Sequence, residues 1–191
     1  MNYLAHIYLS GNSLPVQLGG FIADGVKGNK YNTYPSEISR GILRHREIDS
    51  FTDTHPLISA QLAHMRPVLG KFSAVILDIF LDHILASNFK RYTGLSLRYF
   101  AFRFNLYLLY SYANLPPRFK RFAWHFVISG RLVKYKTQDG IRESLEIMKS
   151  YRGLSVDIPL AMQYLNNHSD DLTTLLDQLL PELKKITQNN G

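Results

Sequence analysis

The segment FSAVILDIFLDHILA, residues 72–86, constrains this chain more than any other. Apart from Ser73, its only polar residues are Asp78, Asp82 and His83. A helix that is apolar on nearly every side is stable only when other elements cover every side. The rest of the chain must therefore wrap around it. Helical periodicity dominates elsewhere and no convincing run of alternating residues marks a strand. The expected fold is all-α, a compact single-domain bundle of roughly seven to nine helices.

The breaks in the pattern set the expected boundaries. Pro15 opens a first helix that runs to Lys27 and stops at Gly28-Asn29. Ser36 caps a second that runs to Thr52. A third covers Leu57 to Arg66, with Pro67 closing it. The central helix spans Phe72 to Arg91 and ends at Gly94. A fifth, rich in Tyr and Phe, runs from Leu95 to Ala113, before the boundary Asn114-Leu115-Pro116-Pro117. A sixth runs from Pro117 to Val133 with a bend at Gly130, and a seventh from Asp139 to Arg152 with Gly153 as its stop. The remainder, Val156 to Thr187, holds one or two helices that Pro181 kinks or divides.

Composition narrows the chemistry. The chain has no cysteine, which excludes disulfides, thiolate zinc sites and a cysteine nucleophile. A metal would have to be held by His, Asp, Glu or Asn, a donor set suited to manganese, iron, zinc or magnesium. Residues 1–23 carry no Lys, Arg, Asp or Glu, yet they lack a basic start, and Asn12, Pro15, Gln17 and three glycines, Gly11, Gly19 and Gly20, interrupt the apolar run. A signal peptide fits poorly, no other segment approaches a membrane span, and the expected location is the cytoplasm.

The net charge of +7 is unevenly spread. Residues 83–138 contain ten Lys or Arg and no Asp or Glu. The acids fall in two other blocks, seven from Asp24 to Asp82 and eight from Asp139 onward. Such segregation predicts a positive face that attracts an acidic partner.

Candidate chemistry lies on two helices. Ile38, Ile42, His45, Asp49 and Thr52 are spaced 4, 3, 4 and 3. They share one stripe about 80° wide, with Arg46 and Asp53 on its flank. On the central helix, Asp78 and Asp82 lie one turn apart in an apolar setting. Burying such a pair costs several kcal/mol unless a cation is supplied. The segment has no Lys or Arg, so a divalent metal is the leading reading, with a salt bridge to Arg44 or Arg46 as its competitor. His6 and Asp24 add two more polar groups from otherwise uncharged stretches. There is no phosphate-binding glycine loop and no serine-hydrolase elbow.

Several blocks in order, MNYLAHIYLS, GGFIADGVKG, GILRHREIDSFTD and LDIFLDHILA, then NLPPRFKR and DGIRESLEIMKSYRG, resemble the bacterial acyl carrier protein phosphodiesterases. The likeness spans about the first 150 residues. It implies an all-helical, metal-dependent enzyme, a divergent relative of the HD phosphohydrolases, although this chain has Asp82-His83 where those have His-Asp. The implied reaction removes the 4′-phosphopantetheine arm from an acidic holo-acyl carrier protein, with manganese as the metal and magnesium or iron as substitutes. On this reading Asp24, His45, Asp78, Asp82 and His83 hold the metal. His45, Arg46, Asp49 and Asp82 do the chemistry, and His6 and Asp53 stand behind them. Arg118, Lys120 and Arg121, exposed at a helix start, would dock the carrier. A phosphohydrolase acting on a nucleotide or other small phosphoester is the alternative. A basic nucleic-acid-binding module ranks third, since it leaves the buried acids unexplained.

Overall fold

The computed structural model describes residues 2–152 and 155–189, and all its regular structure among them is helical. In chain order the helices are α1 Tyr3–Leu9, α2 Leu14–Ile22, α3 Ser36–Thr54, α4 Pro56–Leu69, α5 Ser73–Ser87 and α6 Phe89–Thr93. Then come α7 Leu97–Tyr110, α8 Pro117–Ile128, α9 Arg131–Lys134, α10 Gln138–Arg152, α11 Ile158–Asn167 and α12 Ser169–Asn189. Short 3-10 turns fill several of the connections.

Helix α5 is central, as its composition demands. Ile76, Leu77, Ile79, Phe80, Leu81, Ile84 and Leu85 are buried, and α1, α4, α10 and α12 all pack against it. A second focus of packing is aromatic. Phe21 of α2 meets Phe104 of α7 at 5.4 Å and Phe119, Phe122 and Phe126 of α8 at 6.0, 5.8 and 4.9 Å between ring centroids.

The boundaries depart from expectation where tertiary contacts override local signals. Helix α1 is an addition: seven residues are too few to form a stable helix alone. It exists because its first N–H groups are met. The Asn2 side chain accepts from Tyr3 N, and Asp82 of α5 accepts from Leu4 N at 2.8 Å and Ala5 N at 3.1 Å. Pro67 lies inside α4, which ends instead at Gly70 with φ of 69°. The central segment breaks at Asn88 rather than running to Arg91. Gly130, with φ of 62°, ends α8 outright and starts α9. The C-terminal segment divides at His168, and α12 continues through Pro181. Gly153 lies outside the described residues.

Helices α2 and α3 make the closest pair in the fold. A Cβ on Gly41 of α3 would strike the Val16 carbonyl oxygen and stand 2.9 Å from the Gly19 Cα. A Cβ on Gly19 would strike the Ile38 carbonyl oxygen and stand 2.8 Å from the Gly41 Cα. Two bare glycines thus let backbone rest on backbone. Replacing Gly41 with Ala gains about 1 kcal/mol of helix propensity but forces the helices apart. We expect Gly41→Ala to lower stability by about 2 kcal/mol or more net, measured by urea unfolding. An unchanged or raised midpoint would contradict the contact.

A candidate metal centre between the first three helices

The close α2–α3 pair carries the site. Gly20, next to the contact residue Gly19, presents its carbonyl to His45 of α3, and Nδ1–H of His45 donates to it at 2.7 Å. This bond sets the tautomer and turns Nε2 the other way. There Nε2 faces Asp49, one turn along α3, at 3.1 Å and Asp24, in the 3-10 turn after α2, at 3.5 Å. Helix α1 closes the group from the side. The His6 ring stacks on the His45 ring with centroids 3.6 Å apart, and its Nε2 lies 3.1 Å from the second Asp49 oxygen.

Burial grades across this group. The His6 and His45 side chains are almost covered, whereas those of Asp24 and Asp49 are 54% and 41% exposed. One side of the cluster is therefore open. Burial lowers the pKa of His6 to about 4, reinforced by His45 and opposed by Asp49. For His45, burial works against the charged form, but hydrogen bonds to Asp24 and Asp49 outweigh it and raise the pKa to about 9. Asp24 is lowered chiefly by its hydrogen bond from His45. Asp49 is held well below the carboxylate range, since hydrogen bonds from both histidines overcome its burial.

The donors fit a divalent cation. Ligand atoms of His6, His45 and Asp49 all lie within 4.8 Å of one another, and Asp24 adds a second carboxylate. Mixed imidazole and carboxylate donors suit manganese, iron or zinc. The His45 Nδ1–H bond to a backbone carbonyl is the usual outer contact of a ligating histidine. A proton on His45 Nε2 holds the carboxylates in place where a cation would.

The remaining candidates are distributed elsewhere. Asp82, expected as a metal ligand and catalytic carboxylate, is fully buried with both oxygens capping α1, and it is not among the grouped donors of His6, His45 and Asp49. Burial raises it to about 7, while the two backbone N–H groups pull the other way. His83 Nδ1–H donates to the Tyr135 carbonyl, just after α9, at 2.7 Å, and His83 is not among the grouped donors of His6, His45 and Asp49. Arg46 donates to the Val26 and Gly28 carbonyls at 2.6 and 2.9 Å and lies over the Tyr31 ring, so it ties down the loop after Asp24. Arg44, the other competitor for the buried acids, donates to the Ser10 carbonyl. Asp78 stays near the cluster. Burial raises its pKa first, the N-terminal amine pulls it back, and repulsion from Asp49 and Asp53 adds smaller rises. Asp53 itself is exposed in the last turn of α3. On α8, Lys120 is half-buried and Arg121 exposed, and the Arg118 side chain lies outside the described residues. Sequence reasoning missed Gly19, Gly20 and Gly41. The glycine pair was visible, but it was weighed only against phosphate loops.

A family model described as acyl carrier protein phosphodiesterase matches residues 1–183. The chain belongs to that family. A relative of that name from Klebsiella pneumoniae is 30% identical over 193 residues, covering 99% of this chain and 98% of its own. Relatives so named from Yersinia pestis and Escherichia coli are each 27% identical, over 190 and 184 residues. They cover 99% and 96% of this chain and 98% and 95% of their own. No solved structure matches.

The two histidines give the metal-free protein a defined pH response. His45 binds its proton more tightly folded than unfolded, from the ordinary 6.5 up to about 9. Its contribution is full below about pH 6.5 and is lost as pH rises through about 9. His6 is shifted from 6.5 to about 4, so its contribution is full above 6.5 and lost as pH falls toward 4. Over pH 4–7 the raised Asp82 opposes His6, so the clear signature in chelator is the alkaline limb between about pH 6.5 and 9, which His45→Gln should flatten by on the order of 3 kcal/mol. Urea unfolding across the pH range measures this. Wild-type stability that climbs steadily toward pH 9 would contradict it.

Replacing the cap separates structure from chemistry. Asp82→Ala leaves two buried N–H groups of α1 unmet and should cost about 2–4 kcal/mol. Asp49→Asn should abolish divalent-cation binding, read by calorimetry on the folded protein. Retained binding in Asp49→Asn, with loss in a folded Asp82→Asn protein, would return Asp82 to the metal.

Proposed function

We propose that this protein is a metal-dependent phosphodiesterase acting on holo-acyl carrier protein. It hydrolyses the bond between the carrier's serine oxygen and the phosphorus of 4′-phosphopantetheine. The products are apo-carrier and free 4′-phosphopantetheine, in the cytoplasm and in the service of lipid synthesis. The observation that carries the reading is the convergence of Asp24, His45, Asp49 and His6 in a chain that belongs to the acyl carrier protein phosphodiesterases. The absence of any helix long and apolar enough to cross a membrane, among the described residues, is compatible with a soluble substrate.

Asp24, His45, Asp49 and His6 would hold a divalent cation, manganese first and magnesium or iron as substitutes. When bound, such a cation lowers the pKa of water and neutralises phosphate charge. The chain supplies the geometry. Gly20 holds the His45 ring so that Nε2 faces the carboxylates. Asp49 ties α3 to α1 through His6, and Asp24 and Asp49 line the open side that admits the phosphodiester. Asp78, which feels the charge of Asp49, is a further carboxylate that a bound cation would favour. Water attacks phosphorus in line with the serine oxygen. The new phosphorus–oxygen bond forms as the serine–phosphorus bond breaks, and the serine oxygen departs with a proton. Arg46 contributes by fixing the loop that follows Asp24.

The test is to incubate holo-carrier with the protein and a series of divalent metals and weigh the carrier by mass spectrometry. Loss of the 4′-phosphopantetheine mass is expected, strongest with manganese and abolished by chelator. Asp24→Asn, Asp49→Asn and His45→Gln should each reduce kcat by at least about a hundredfold, as expected when a metal site is broken. A carrier of unchanged mass, alongside hydrolysis of a nucleotide, would replace this reading with a small-molecule phosphohydrolase.

A further inference from the structure

The outer face of α7 is unusual. Its inner face, with Phe100, Phe104 and Leu108, is buried in the core. Yet Tyr99, Phe102, Leu106 and Tyr110 stand exposed on the opposite side, Phe102 at 65% and Tyr110 at 84%. With Arg103 they form one stripe roughly 100° wide. Beside it, α8 exposes Trp124 and Ile128 one turn apart. A groove of about 470 Å³, lined by Leu109, Tyr112 and Trp124, runs between them. Six large side chains on these two helices are thus each more than half exposed, and clustered apolar exposure of this kind marks an interaction surface.

The charges carried by α7 and α8 themselves have one sign. Arg98, Arg103, Lys120 and Arg121 flank it, and residues 83–138 contain no Asp or Glu. Arg103 lies over the Tyr99 ring at 5.8 Å and Lys120 over Tyr112 at 5.8 Å, so the basic groups are woven into the apolar surface. A second copy laid face to face would set these cations against one another. The occupant must be acidic and must carry an apolar stripe of its own.

Helix α8 stands between this face and the segments that carry the candidate metal centre. Its inner residue Phe122 packs on Phe21 at 5.8 Å and on Tyr3 at 5.2 Å. Phe21 lies three residues before Asp24, and Tyr3 three before His6. In the reaction proposed above, the phosphorus is bonded directly to the carrier, so the carrier's body must rest next to the site.

We infer that the exposed α7–α8 face is the docking surface for the acidic carrier protein. The aromatic stripe anchors an apolar helix face, and Arg103, Lys120 and Arg121 form a basic rim. The inference rests on the proposed function for the identity of the carrier. Long-range attraction from the rim is screened within about 8 Å at physiological salt, whereas the aromatic anchor is not.

The test uses Phe102→Glu with Leu106→Glu, both exposed, and separately Lys120→Glu with Arg121→Glu. Melting temperatures should stay within a few degrees of wild type. Titration with apo-carrier should show binding weakened at least tenfold by the first pair. The second pair should flatten the salt dependence. On holo-carrier the loss should fall mainly on KM. Wild-type turnover of holo-carrier with both variant pairs unaffected in binding and KM overturns the docking surface and leaves the proposed reaction standing. Carrier that binds wild type and not the first pair, with no hydrolysis by either, supports the surface and overturns the reaction. Two further results overturn the inference. They are loss of binding to phosphatidylglycerol vesicles, or loss of self-association, in variants whose carrier binding is normal.

Discussion

The contact of Gly19 with Gly41 is the constraint on which the site depends. Two helices whose backbones touch cannot slide or rotate without a clash, because there are no flexible side chains between them to yield. That rigidity is transmitted over one residue to the Gly20 carbonyl and over one helical turn to His45. A hydrogen bond of 2.7 Å between those groups is sensitive to displacements well under an ångström. Asp24 follows α2 and Asp49 follows His45 on α3, so both carboxylates inherit the same fixed relation. A side chain at either glycine would widen the whole arrangement.

The buried acids show how one physical cost admits two solutions. A carboxylate inside an apolar helix needs positive charge or donors. Asp82 obtains them from the unmet N–H groups and the positive end of α1, the same groups that make helix starts bind anions. In return α1, too short to persist alone, is held in place with His6 against His45. Asp82 thus serves the metal centre by positioning, through a helix rather than through an ion.

What could be read from the chain follows from the range of each interaction. The α3 stripe of Ile38, Ile42, His45, Asp49 and Thr52 was legible because helical spacing is a local property, and all but Asp49 are buried. The centrality of α5 was legible for the same reason. Helix α1 was not, because its stability comes from a residue 78 positions away. Pro67 reads as a stop and Pro181 as a kink or divide, yet each sits within a helix whose packing outweighs the lost hydrogen bond. Helical spacing puts Arg46 on the flank of the α3 stripe and His83 beside Asp82, which does not fix where either side chain goes. Their neighbours along the helix point elsewhere, and only the partner carbonyls of Tyr135, Val26 and Gly28 reveal where each side chain goes.

The 78-residue separation between Leu4 and Asp82 also orders events in time. During synthesis His6 emerges among the first residues, and Asp24, His45 and Asp49 follow long before α5 is complete. The α2–α3 contact can already set Asp24, His45 and Asp49 relative to one another, but His6 has no fixed place against them until α5 supplies Asp82 to cap the N-terminal turn. The cluster therefore lacks its fourth member until well over a third of the chain has been made, and the first helix translated is among the last that can become stable.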